Sequence, residues 1–196
     1  WLITVTGSKK KLRGRTNSDL ASEITCMEME NRCNAPDITY GGSNHTNQEF
    51  KAGSDFSGKN FSGANLAGLR LSRCNFSNAN LTGAILRGTI LDEANLSGAV
   101  LDGANLELAV LGGSNLQKAS FKHANLKRAN LVGVNAAGAD FTEADFYYSR
   151  PGNGNFEDAV FVNANINRAI FRRANLKNAN MTGVTGEANF ENANLE

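Results

Sequence analysis

The chain has 196 residues, enough for one domain or for one domain with a terminal module, and its 20 Lys+Arg nearly balance 19 Asp+Glu. That balance argues against a polyanion-binding protein or an acidic mimic on bulk charge. No apolar run approaches the roughly 18 residues needed to cross a bilayer, so no transmembrane segment is expected.

The chain opens with the apolar Trp1–Val5 followed by the basic Lys9–Arg15, the reverse of the order in a secretory signal. With no initiator Met, something preceding Trp1 is expected. Residues 1–50 show no repeat and read as an N-terminal capping region. A helix is predicted from Asn17 or Ser18, both acceptable N-caps, to about Glu30, with Leu20, Ile24 and Met27 on one face. Cys26 and Cys33 lie seven apart and form a candidate disulfide, which would imply a lumenal or periplasmic compartment; otherwise a soluble cytoplasmic protein is expected. Their spacing is not CxxC, which argues against a zinc or redox site.

From residue 51 to 196 the chain repeats. Stepping in fives from Phe56 to Met181 gives 26 positions without insertion or deletion; Leu fills 13 and Phe fills 9. The exceptions are Ala136, Pro151, Ile166 and Met181. Two residues before the centre the chain prefers Ala, in 17 of the 26 units, and the residue just before it is commonly Asn. Gly often stands two after the centre, as in Gly58, Gly83 and Gly103. A period of five matches neither a helix nor a continuous strand, either of which would scatter these centres over several faces. A short extended piece followed by a turn of about 90° puts every centre inside, and four such pieces close a square coil of about 20 residues.

Runs such as Ala64-Asn65-Leu66, Ala79-Asn80-Leu81-Thr82-Gly83 and Ala94-Asn95-Leu96-Ser97-Gly98 resemble the A(D/N)LXX signature of pentapeptide-repeat proteins. The resemblance implies an all-β solenoid, a right-handed quadrilateral β-helix, here with a partly helical N-terminal cap over residues 1–50. A solenoid end exposes unpaired backbone and apolar core, so such a cap is required. Two departures stand out. Pro151 occupies a central slot, where it cannot donate to the coil-to-coil ladder, so a bulge or small loop is predicted. Phe190 is nine residues from Met181, one short of the frame, so a distorted last coil or a cap is predicted near Thr185-Gly186.

Catalysis needs titratable groups that converge in a concavity. The two histidines, His45 and His123, have no metal-ligand spacing to each other or to a cysteine, and Cys74 sits in a slot that wants a small buried residue. The serines at Ser57, Ser62, Ser77 and Ser97 belong to the repeat. No catalytic residue, metal, cofactor or small-molecule substrate is therefore expected, and the protein is not read as an enzyme. Lys118, Lys122, Lys127 and Arg128 would form a belt around a coil rather than a stripe along one side, so nucleic acid is not the expected partner. The resemblance offers one alternative: some family members resemble B-form DNA in shape and charge and bind DNA gyrase, which implies a DNA-mimicking regulator of gyrase or of another nucleic-acid-binding protein. That reading needs an acidic surface, whereas residues 51–196 carry 14 Lys+Arg and 13 Asp+Glu.

What remains is a non-catalytic interaction or scaffold module that binds a protein partner or itself. Residues 20 apart stack on one side of such a coil, so surface columns can be read directly. Before the centres Phe76, Leu96 and Leu116 the column is polar: Asp55, Asn75, Asn95, Asn115, Asn135, Asn155, Asn175. Before Leu71, Leu91 and Leu111 it reads Arg70, Ile90, Val110, Asn130, Arg150, Ile170. Val132 is on that side, with Leu108 and Tyr148 at its leading corner. The predicted protein-contact face is therefore Ile90, Leu108, Val110, Val132, Tyr147, Tyr148 and Arg150, with the Pro151 irregularity projecting the tyrosines. An outward charge ladder is also predicted along Arg87, Glu107 and Lys127.

Overall fold

A computed structural model describes residues 50–196, which form a coil that returns to register every 20 residues. The helix expected between Asn17 or Ser18 and Glu30, the Cys26–Cys33 pair and His45 lie outside the described residues. Each five-residue unit is a turn followed by one bridged residue. The N–H three residues after a centre donates to the carbonyl of that centre, as from Ala64 to Phe61 and from Ala84 to Leu81, both at 3.0 Å. The third residue of the turn has positive φ, the requirement of a type II turn, whether it is Gly63 (68°), Glu93 (56°) or Tyr148 (56°). The residue before each centre then pairs in parallel with its counterpart in the next coil, as in Asn75 with Asn95 and Asn95 with Asn115. Turn and bridge alternate so closely that pairing stays at isolated bridges and no continuous strand forms among the described residues.

Four units complete one coil and define four sides. Side 1 has centres such as Phe56, Phe76 and Leu96; side 2, Phe61, Leu81 and Leu101; side 3, Leu66, Leu86 and Leu106; side 4, Leu71, Leu91 and Leu111. On side 1, seven successive bridges link Asp55 through to Asn194. Every centre from Phe56 to Leu176 is buried, with the small residue two before it closing the corner of the core. Inward volume is balanced coil by coil, as close packing requires. Leu96, Leu101, Leu106 and Leu111 fill one cross-section, whereas Ala136 and Pro151 make room for Phe141 and Phe146 in another. The aromatic rings continue along the axis: Phe121, Phe141 and Phe161 stack at 5.1 Å per step. At the N-terminal end Phe50 is buried 5.2 Å from Phe56.

The asparagines have two functions at once. Asn95 Oδ1 accepts the Ser97 N–H at 3.1 Å, fixing its own turn, and Asn95 Nδ2 donates to Asn75 Oδ1 at 3.2 Å, tying coil to coil. The same rung recurs from Asn155 to Asn135 and from Asn175 to Asn155. A polar residue in the small inward slot also finds a rule. Thr89 Oγ1 donates to Leu66 O at 2.8 Å, Ser114 Oγ to Leu91 O at 2.6 Å, and Cys74 Sγ to Lys51 O at 3.0 Å, each to a carbonyl 23 residues earlier. Cys74 is buried and free, and burial pushes its thiol above the ordinary value, as the small-hydrophobe reading requires.

Pro151 corrects an expectation. No bulge or loop forms there: the turn-and-bridge pattern runs unbroken through residues 146–155, and the ring is buried in the central slot. The proline removes one donor, so no N–H reaches Ile170 O and no Arg150–Ile170 bridge closes. The bonds on either side hold, Ile170 N–H to Ser149 O at 3.0 Å and Asn153 N–H to Arg172 O at 2.9 Å. Sparse pairing explains the tolerance: one lost rung does not disturb its neighbours. The adjacent Gly154 leaves room for an aromatic ring, since a Cβ there would sit 2.5 Å from Phe156.

The short frame near the C-terminus is absorbed within the coil. Asn165 pairs with Thr185 at the usual offset of 20, but Ile170 pairs with Asn189 and Asn175 with Asn194, at 19. Gly186 makes the contraction with φ at 93°, where a Cβ would lie 2.6 Å from the Asn167 backbone. Phe190 then stacks on Phe171 at 5.3 Å and continues the core.

Ser149 breaks the small-slot rule: its buried hydroxyl has no hydrogen-bond partner. An unsatisfied buried hydroxyl costs about 1–3 kcal/mol, whereas a satisfied one contributes about 0.5–1.5 kcal/mol. Ser149→Ala should therefore raise thermal stability and Ser114→Ala lower it, read as melting temperatures of the two variants side by side. Shifts of the same sign would contradict this assignment.

Candidate protein-contact face

Side 4 is built on the column Arg70, Ile90, Val110, Asn130, Arg150, bridged in that order. Ile90 and Val110 are direct coil-to-coil neighbours and half-buried, their backbones locked by Ile90 N–H to Leu69 O at 2.9 Å and Leu91 N–H to Val110 O at 2.7 Å. Leu108 stands at the leading corner of the same coil as Val110, and Val132 follows one coil on at the far corner; they are 40% and 41% exposed. These four residues form one apolar group.

Tyr147, Tyr148 and Arg150 form a second group further along. The tyrosine rings meet edge to face at 4.7 Å, with Tyr147 half-buried and Tyr148 exposed. Both occupy ordinary corner positions, so the projection expected from a bulge at Pro151 does not arise. Sequence reading missed Arg168, one coil beyond Tyr148 in the same column. Its guanidinium carbon lies 5.0 Å from the ring centroid and its Nη1 donates to the Tyr148 hydroxyl. That hydrogen bond raises the guanidinium above its ordinary value. Counting 20 forward from Tyr148 would have found it.

Apolar exposure is not confined to side 4. Ile85 on side 3 is 42% exposed and Val100 on side 2 is 38% exposed. Each stands between polar bridge partners: Ile85 between Asn65 and Asn105, Val100 between Asn80 and Ser120. Among the described residues, only on side 4 are two apolar bridge residues adjacent. The corner column adds a distinction. The positive-φ position is left-handed, where a bulky side chain strains the backbone. Of the non-glycine residues that occupy it, Leu108 (60°) and Tyr148 (56°) are the large uncharged hydrophobic ones, and both sit in this one column, where Gly68 and Gly88 precede them.

The charges are paired mainly between coils. Arg73 Nε reaches Glu93 Oε2 at 2.8 Å, and Arg87 Nε reaches Glu107 Oε2 at 3.2 Å. The predicted ladder stops there: Lys127 turns away from Glu107 to the half-buried Asp145, Nζ to Oδ2 at 3.1 Å. Asp145 is already oriented by the Tyr147 N–H and Asn165 Nδ2, so it offers a fixed acceptor on the same side. On side 2, Lys122 Nζ pairs with Asp140 at 3.3 Å. Burial acts to raise the Asp140 carboxyl, but hydrogen bonds from Thr142 and the Lys122 charge outweigh it and leave it below the ordinary value. His123 Nδ1 lies 3.1 Å from Glu143 Oε2, and among the described residues no group of His, Cys, Asp and Glu is arranged to hold a metal.

A family model for pentapeptide repeats matches eight copies, over residues 54–92, 89–128, 119–150 and 153–185. The chain belongs to the pentapeptide-repeat family. Among solved structures it resembles a pentapeptide-repeat protein from the thylakoid lumen of Arabidopsis thaliana, at 28% identity over 67% of this chain and 77% of that one, with a TM-score of 0.37. HetL, a pentapeptide-repeat protein involved in heterocyst differentiation regulation in the cyanobacterium Nostoc, is 22% identical over 72% of this chain and 84% of its own, TM-score 0.28. QnrB1, a plasmid-mediated fluoroquinolone resistance protein, is 23% identical over 65% and 77%, TM-score 0.30. A search of curated proteins finds no significant match.

If Leu108 is presented rather than structural, Leu108→Gly should leave stability nearly unchanged. Relief of left-handed strain, about 1 kcal/mol, offsets the modest packing that a side chain 40% exposed can supply. The melting temperature should stay within about 3 °C, since 1 kcal/mol moves a chain of this size by about 2–4 °C. A fall well beyond that would make Leu108 a structural residue.

Proposed function

We propose that this pentapeptide-repeat protein is a non-catalytic interaction module whose side 4, with its leading corner, is the contact face for a protein partner. The adjacent pair Ile90 and Val110, flanked by Leu108 and Val132, carries the reading: it is the only place among the described residues where apolar bridge residues are neighbours across coils. Apolar and aromatic anchors set in a polar surround suit a binding patch. In the same reading residues 1–50 cap the N-terminal end of a right-handed coil, a role consistent with the burial of Phe50 against Phe56. Among the described residues no helix is long and apolar enough to cross a membrane.

The gyrase-mimic alternative draws no support from the surface. Such a mimic needs a net acidic surface, whereas residues 51–196 carry 14 Lys+Arg against 13 Asp+Glu, and Glu93, Glu107, Asp140 and Asp145 are each paired with a base. Replacing Ile90 and Val110 together with Ser should keep the fold, because neither side chain enters the core. Capture of partners from the native source, or self-association measured by sizing, should fall about tenfold or more, as for loss of a central apolar anchor. Unchanged association, with hydrogen exchange showing side 4 open to solvent, would refute the contact face.

A further inference from the structure

The corner column of side 4 changes character toward the C-terminus. After Gly88 and Leu108 come Arg128, Tyr148 and Arg168, and Arg150 lies two residues beyond Tyr148 in its own coil. Tyr148 is thus bracketed by three arginines: one coil before, one coil after, and beside it. Elsewhere on the solenoid the exposed bases Arg73, Arg87, Lys122, Lys127 and Arg172 each meet a carboxylate on a later coil. Among the described residues none of Arg128, Arg150 and Arg168 forms an ion pair. Lys59, Arg70, Lys118, Arg173 and Lys177 form none either, but none of these five stands one coil along its column, or two residues in sequence, from a tyrosine. On the following coil Glu187 gives Arg168 only its backbone carbonyl, at 2.6 Å from the Arg168 nitrogen.

Two further observations bear on what these arginines are for. All of the column's bulky side chains, Leu108, Arg128, Tyr148 and Arg168, sit at φ between 56° and 61°, where glycine would be free of strain. Non-glycine residues such as Arg73, Glu93 and Lys118 take the same φ in other columns, so what sets this column apart is the kind of side chain it carries, aliphatic, aromatic and cationic in succession. Arg168 is also held in place, its Nη1 on the Tyr148 hydroxyl and its plane near the ring. A guanidinium has five N–H donors in a fixed fork, so this arrangement leaves donors free and already oriented for a second acceptor.

We propose that the C-terminal half of side 4 binds an acidic protein segment, its carboxylates taken by Arg128, Arg150 and Arg168 around Tyr148. This deepens the contact-face reading and rests on it. A protein segment is favoured over a polyphosphate backbone because exposed apolar side chains lie among the arginines. Val132 and Ile170, each 41% exposed, share the patch and would face apolar residues set between the carboxylates. Successive coils lie about 4.8 Å apart, so Arg128 and Arg168, two coils apart, present charges at about 10 Å along the axis.

The test uses the full chain and three fluorescently labelled probes: a peptide of Glu-Glu-Leu repeats, its Lys-Lys-Leu counterpart, and a short DNA duplex. Binding is read by anisotropy at low and physiological salt. The acidic peptide should bind, weaken with salt, and lose about tenfold in affinity for each of Arg128→Gln, Arg150→Gln and Arg168→Gln, the loss of one charge-assisted contact. Arg73→Gln, whose base is already paired with Glu93, should change nothing. Equal binding of the two peptides, or acidic-peptide binding untouched by the three substitutions, overturns the proposal. So does a duplex that binds through these arginines while the acidic peptide does not. The Ile90→Ser, Val110→Ser variant separates the two claims. If it abolishes native association while the arginine variants do not, the contact face stands and the acidic partner falls; if neither does, both fall.

Discussion

The backbone ladder between coils is the constraint on which the rest depends. Except at Arg150 and at the 19-residue steps near the C-terminus, the residue before a centre is bridged to its counterpart 20 residues on, and the turn between bridges is closed by a bond from the third following N–H to the centre's carbonyl. With turn and bridge alternating, one residue in five has no direction to take but inward, along with the small residue two before it. The core is consequently a column of fixed cross-section, and large residues are admitted only where small ones compensate, as Ala136 and Pro151 do for Phe141 and Phe146. The same ladder turns the outer surface into columns in which each side chain has a known neighbour above and below. Asn rungs, ion pairs and the tyrosine–arginine stack all follow from that adjacency.

Most of this frame was legible in the sequence because a period of five has few geometric solutions. The inward centres, the small Ala slots, the buried Cys74 and the stacking of residues 20 apart could be read before any coordinates. Pro151 misled because proline in a continuous strand is costly, yet here each unit contributes so few ladder bonds that losing one leaves the coil intact. The partner of Lys127 was misread because a column gives backbone neighbours but not the reach of a long side chain. Lys127 crosses to Asp145, which lies in the next coil but in a neighbouring column. The unpartnered Ser149 hydroxyl was invisible for a similar reason, since Thr89 and Ser114 in equivalent slots are satisfied.

The candidate face was legible in part. The adjacency of Ile90 and Val110 follows from the register alone. The strain at Leu108 and Tyr148, and the contact of Tyr148 with Arg168, required φ angles and side-chain placement. A rigid coil of this kind has no need of a hinge or cleft to bind. Its side chains are already ordered in columns, so little conformational entropy remains to be lost when a partner docks. On the proposed reading, selectivity follows from the columns that depart from the repeat, among them, in the described residues, the corner that carries Leu108, Arg128, Tyr148 and Arg168.

The four-sided, 20-residue register can be tested with engineered disulfides. The background is a chain whose Cys26, Cys33 and Cys74 are replaced by alanine. Ser97→Cys is combined in turn with Gly112→Cys, Gln117→Cys and Lys122→Cys, which lie 15, 20 and 25 residues away. A disulfide needs Cα atoms within about 4.4–6.8 Å, and coils about 4.8 Å apart satisfy this only for equivalent positions on one side. The account predicts oxidation of the Ser97/Gln117 pair alone, read by mass spectrometry as loss of two hydrogens. Preferential oxidation of Ser97 with Gly112 or with Lys122 would mean a different number of sides, and would contradict both the fold and every surface column drawn from it.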